Sequence, residues 1–76
     1  MHLNCANVVG GATIAIVVDP DHQTVDSLPA TFSDKLITWH DANRGYLDLN
    51  RSTLKLDIRI ASSTGGYFLH YQCKPE

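Results

Sequence analysis

Nothing in this chain approaches the ~20 consecutive apolar residues that a transmembrane helix requires. Its most apolar stretch, Ala12 to Val18, is far too short. A basic cluster is missing as well. Lys35, Arg44, Arg51, Lys55, Arg59 and Lys74 are scattered among eight acids, for a formal net charge of −2. A protein that neutralises phosphates needs its cations gathered on one face, so neither nucleic acid nor anionic lipid is an expected partner. There is no acidic tail to suggest a basic partner. Proline is scarce, with three residues, and the apolar fraction of 43% belongs to a packed fold rather than a disordered chain. No repeat, linker or low-complexity segment divides the sequence, and residues 1–76 read as one β domain. A basic n-region, an apolar h-region and a small-residue cleavage site are all lacking ahead of Cys5. If the chain is exported, the expectation is that a signal peptide has been removed from it.

Cysteine is equally sparse, and the two present are informative. Cys5 and Cys73 lie close to opposite ends of the 76 residues. A bond between them would tie the first strand to the last and close almost the whole chain into one loop, stabilising it by about 4 kcal/mol in the chain-entropy model. Domains of this size commonly depend on such a staple, a metal or an oligomer. A disulfide also implies an oxidising compartment, periplasmic or extracellular. The matching tetrapeptides His2-Leu3-Asn4-Cys5 and His70-Tyr71-Gln72-Cys73 contain a full tetrahedral zinc set. On a strand, however, residues three apart point to opposite faces, so each histidine projects away from its cysteine. The disulfide is the expected pairing, with no metal.

What is present is short β-strand pattern. From Thr53 to Ile60, Leu54, Leu56, Ile58 and Ile60 alternate with Lys55, Asp57 and Arg59, which predicts one wet and one buried face. Tyr46 to Asn50 alternates in the same way, and the polar link Asn50-Arg51-Ser52-Thr53 makes the two a hairpin. Ala12 to Asp19 is β-branched and apolar on both faces, as in a central strand, and ends at Pro20. Lys35 to His40 places Ile37 and Trp39 together, with Trp39 expected at the centre of the core. The last strand, Tyr67 to Cys73, follows a turn over Ser62 to Gly66 and puts Leu69, Tyr71 and Cys73 on one face. Val25 to Asp34 reads as an irregular connection in which Pro29 permits at most an edge strand. The pattern predicts an all-β fold of five to six antiparallel strands, a small barrel or compact sandwich, with the terminal strands joined by the disulfide.

No constellation points to catalysis or to a cofactor. His22 falls in a turn and His40 near a strand end, neither beside a nucleophile. Gly10-Gly11 and Gly65-Gly66 lack the lysine of a phosphate loop. Asp19, Asp21 and Asp26 do not have calcium-loop spacing. Asn50-Arg51-Ser52 matches the glycosylation tripeptide but reads more simply as a turn. Tyr46, Phe68 and His70 fall opposite the apolar faces of their strands, which in a sheet one layer thick makes them surface groups available for contact; the alternative is that Phe68 covers a sheet edge or a second small core.

Asn4-Cys5, the segment from Thr24-Val25 through Pro29-Ala30 to Ile37-Thr38-Trp39, the hairpin Leu49 to Leu54 and the closing Tyr71-Gln72-Cys73 resemble small exported bacterial proteins of uncharacterised function. That resemblance spans almost the whole chain and implies a periplasmic or secreted setting with an unknown protein or envelope component as partner. Ser63-Thr64-Gly65-Gly66-Tyr67 is similar to the serine-bearing loop with which the C-type lysozyme inhibitors, small periplasmic β-barrels, block a catalytic cleft. It departs from their serine-glycine-x-x-tyrosine pattern in placing the glycines after Ser63-Thr64. The expectation is a non-enzymatic protein that contacts another macromolecule. Its alternative is a hydrolase inhibitor acting through residues 62–66.

Overall fold

Alternating side chains need a partner layer on their apolar face, and here the sheet supplies it by closing on itself. A computed structural model describes residues 1–62 and 65–76. Eight strands follow one another: β1 (His2–Asn7), β2 (Thr13–Asp19), β3 (Thr24–Val25), β4 (Leu28–Phe32), β5 (Leu36–Asp41), β6 (Gly45–Asn50), β7 (Lys55–Ser62) and β8 (Gly65–Pro75). Each pairs antiparallel with the next, and β8 returns to β1 to complete a closed barrel. The strand count is thus eight rather than five to six, and the architecture is a barrel rather than a sandwich.

The two strands absent from the sequence pattern are β3 and β4. A two-residue strand has no period to detect, and β4 carries Pro29. The proline is tolerated because Ala30 donates its N–H to Gln23 on the β3 side. Position 29 therefore faces β5, beyond the β4–β5 ladder that starts at Ala30↔Trp39. Between β3 and β4, Asp26 and Ser27 both have positive φ, as a two-residue I′ hairpin turn demands. Asp26 also anchors this corner, accepting the Val17 N–H on its carboxylate at 2.8 Å.

Inside the barrel the core is aliphatic, with Leu3, Leu47, Leu49 and Leu56 wholly enclosed and Trp39 buried beside them. Strand β2 departs from expectation. Ile16 and Val18 point inward, but Ala15 and Val17 are exposed, so this strand has one wet face like the others. A closed single-layer barrel buries only its inner surface, whereas a central strand between two layers buries both. Strand β7 starts two residues later than the alternation suggests, because Leu54 adopts φ 59° in the turn after Asn50.

Cys5 lies directly opposite Cys73 in the β1–β8 ladder, with Cα atoms 3.8 Å apart, and the two are bonded. Cys73 donates its N–H to the Leu54 carbonyl on the other side of β8, so Cys5↔Cys73 is a non-hydrogen-bonded pair. Side chains of such pairs approach more closely than those of hydrogen-bonded pairs, which suits a cross-strand bridge.

Gly45 opens β6 with φ 95°, and a Cβ there would lie 2.5 Å from the Arg59 carbonyl oxygen. Gly45→Ala combines a left-handed backbone with a clash against main chain of β7. The expected cost is about 3 kcal/mol, read as a fall in urea midpoint.

Candidate functional site

Because β4 to β8 are in register, alternation lines up their outward residues into two cross-strand rows. One row runs His40↔Tyr46↔Arg59↔Phe68. The other runs Thr31↔Thr38↔Asp48↔Asp57↔His70. The His40 and Tyr46 rings stand 4.6 Å apart with an interplanar angle of 41°. The Arg59 guanidinium lies 5.2 Å from the centre of the Tyr46 ring on its other side. Such cation–π contacts at exposed sites contribute about 0.5–1 kcal/mol. Phe68 and His70 stack with nearly parallel planes, centroids 6.3 Å apart.

The second row places two carboxylates opposite one another, Asp48 on β6 and Asp57 on β7. Like charges directly opposite are destabilising in a sheet. His70 relieves one of them, its Nδ1 lying 2.6 Å from Asp57 Oδ1. Asp48 makes no hydrogen bond or ion pair with the described residues, and it faces an open groove of about 470 Å³ with Thr31, Thr38, His40, Tyr46 and Arg59 along its walls. A flat aromatic and a guanidinium beside a free carboxylate and two hydroxyls can stack on a partner and exchange hydrogen bonds with it.

Tyr46, Phe68 and His70 are exposed, where the alternation puts them. The participation of Arg59, Asp48 and the two threonines was not legible, since it depends on which residue of one strand faces which of the next. The repeated outward-polar positions were the available signal, but their register required the turn lengths.

Other groups singled out in the sequence are used locally. The thiols of Cys5 and Cys73 are consumed by their bond in the core. Asn50 Oδ1 accepts the N–H groups of Ser52 at 2.9 Å and Thr53 at 3.0 Å, shaping the β6–β7 turn. Gly65, Gly66 and Tyr67 belong to β8, opposite Ser62, Ala61 and Ile60, so this strand begins earlier than at Tyr67. Ser63 and Thr64 lie outside the described residues. Among the described residues no three histidine, cysteine or acidic side chains gather closely enough to hold a metal ion. No helix among them is long and apolar enough to cross a membrane.

In the β2–β3 turn, His22 Nδ1 lies 2.7 Å from Asp19 Oδ2. This side-chain hydrogen bond is the main cause that holds the Asp19 carboxyl below its ordinary value of 3.8. A depressed carboxyl stabilises the fold above its unfolded-state pKa, and that contribution is lost as pH falls through the folded-state value. His22→Ala is expected to return Asp19 towards the ordinary value, measurable by NMR titration of the side-chain carboxyl carbon. An unchanged titration would remove His22 as the cause.

No protein-family model, curated protein or solved structure matches this chain.

Proposed function

We propose that this protein is an exported, non-enzymatic binding domain that contacts a protein or envelope component through the outer face of β5 to β8. The observation that carries the reading is the continuous row His40, Tyr46, Arg59 and Phe68, in which the Tyr46 ring is held by neighbours on both sides and still half-exposed. Aromatic residues and arginine are enriched at contact surfaces, the rings because they offer large, stiff area at small entropic cost and arginine because its planar guanidinium presents a fixed fork of donors. The setting outside the cytosol rests on the disulfide, which persists in oxidising compartments.

The test is a titration of ¹⁵N-labelled protein with soluble cell-wall fragments and with fractionated periplasmic proteins. Binding is expected to shift or broaden the amides of His40, Tyr46, Arg59 and Phe68 while those of β1 and β2 stay unmoved. Tyr46→Ala and Arg59→Ala should each weaken it about tenfold, the loss of a contact near 1.4 kcal/mol. Perturbation confined to other strands would end this reading.

A second reading, inhibition of a hydrolase such as lysozyme through residues 62–66, is supported by one feature. The β7–β8 ribbon continues beyond the last pairs that β6 and β1 make with it, Tyr46↔Arg59 and Asn7↔Tyr71. A projecting hairpin is the shape that can enter a cleft. Near-stoichiometric suppression of lysozyme turnover by the wild type, lost on Ser63→Ala or Tyr67→Ala, would establish it. No effect on turnover would discard it.

A further inference from the structure

The same extension leaves a strand edge open. Strand β1 pairs with β8 only from Leu3↔Pro75 to Asn7↔Tyr71, and the seam ends where Val8 donates its N–H to the His70 carbonyl at 3.0 Å. Strand β7, on the other side, continues to Ser62↔Gly65. Cys73 directs its N–H towards β7 and His70 its carbonyl towards β1. Backbone groups alternate along a strand, so the N–H and C=O of Gly66 and Phe68 also point to the β1 side. There, among the described residues, no strand meets them.

Natural sheets protect such edges with charge, proline, a bulge or a covering loop. Gly65 to Leu69 contains neither a charge nor a proline. The surroundings are apolar and open: Val8 is 63%, Val9 80%, Tyr67 55% and Phe68 61% exposed. Tyr67 and Phe68 thus stand exposed on this part of β8, and Val8 stands exposed where the seam with β1 ends.

We propose that this edge is a self-association site, where β8 pairs antiparallel with β8 of a second copy about a two-fold axis at Tyr67. An antiparallel edge matches its own rotated copy, since each outward residue offers one donor and one acceptor to the residue facing it. Among the described residues, this axis alone uses both free positions. It sets Phe68 of each copy opposite Gly66 of the other, so the aromatic ring lies over a residue without a side chain. An axis at Phe68 would instead set Gly66 against His70, whose carbonyl is already taken by Val8. Two hydrogen-bonded pairs with apolar margins make a small interface, and small interfaces are weak. Dissociation on the order of 100 µM is expected, well below the affinity of standard-size interfaces.

Sedimentation of the intact disulfide-bonded protein from ~10 µM to ~1 mM tests the proposal across that range. The weight-average mass should rise towards twice that of the monomer, with the amides of Gly66 and Phe68 gaining protection from hydrogen exchange as concentration increases. Phe68→Pro removes the outward N–H without touching the β7 ladder and should keep the protein monomeric. A chain that stays monomeric across the range overturns the proposal, as does association without protection at Gly66 and Phe68 or association that survives Phe68→Pro. The amide readout uses the wild type, so it decides the matter even if the proline variant folds poorly. None of these outcomes depends on the partner proposed for the outer face.

Discussion

Reduction of the Cys5–Cys73 bond is expected to destabilise the barrel by about 4 kcal/mol, because the bond spans a sequence separation of 68 and removes that loop-closure entropy from the unfolded chain. For a domain of this size that corresponds to a fall in Tm of about 20 °C. The bond also sits in the seam between first and last strands, the one junction that no hairpin turn holds together. Both sulfurs are enclosed in the core, so reductant reaches them only when the seam opens. Reduction should accordingly be slow in buffer and fast in denaturant. Thermal unfolding with and without reduction measures the loss, and intact mass after alkylation reports the thiols. Two thiols alkylated without reductant, or a Tm unmoved by complete reduction, would contradict the expectation.

Leu56→Ala and Ile58→Ala are each expected to cost about 2–4 kcal/mol, since truncating an enclosed aliphatic side chain loses transfer energy and leaves a cavity the sheet cannot close. Leu56 is wholly buried and faces Leu49 across β6–β7 and Tyr71 across β7–β8. Lys55, its neighbour on the wet face, is exposed, and Lys55→Ala should change stability by less than about 0.5 kcal/mol. Urea melts of the three variants test the face assignment. Equal effects at Lys55 and Leu56 would mean that β7 is turned over or shifted by one residue.

The strands that carried their own evidence were those whose two faces differ in polarity over five or more residues. For β5, β6 and β7 the inward residues Ile37, Leu47, Leu49, Leu56 and Ile58 could be named from alternation alone. So could the facing of Cys5 and Cys73, because each thiol shares a face with an apolar neighbour two residues away. Alternation is a property of one strand and survives without knowledge of any other. Register is a property of two. The row of His40, Tyr46, Arg59 and Phe68 assembles residues from four strands, and its composition depends on turn lengths and on the left-handed residues at Gly45 and Leu54.

Strands β3 and β4 illustrate the other limit. Two residues show no period, and Pro29 counts against a strand until its missing donor is seen to fall outside the ladder. The local sequence therefore determined an all-β chain, its main buried positions and a bond between its ends, since polarity and chain chemistry act within a few residues. Closure into eight strands, the polar and aromatic outer face and the open edge at Gly66 and Phe68 were decided only by tertiary structure. They follow from how far each strand runs relative to its neighbours, a quantity set by pairing across the whole barrel.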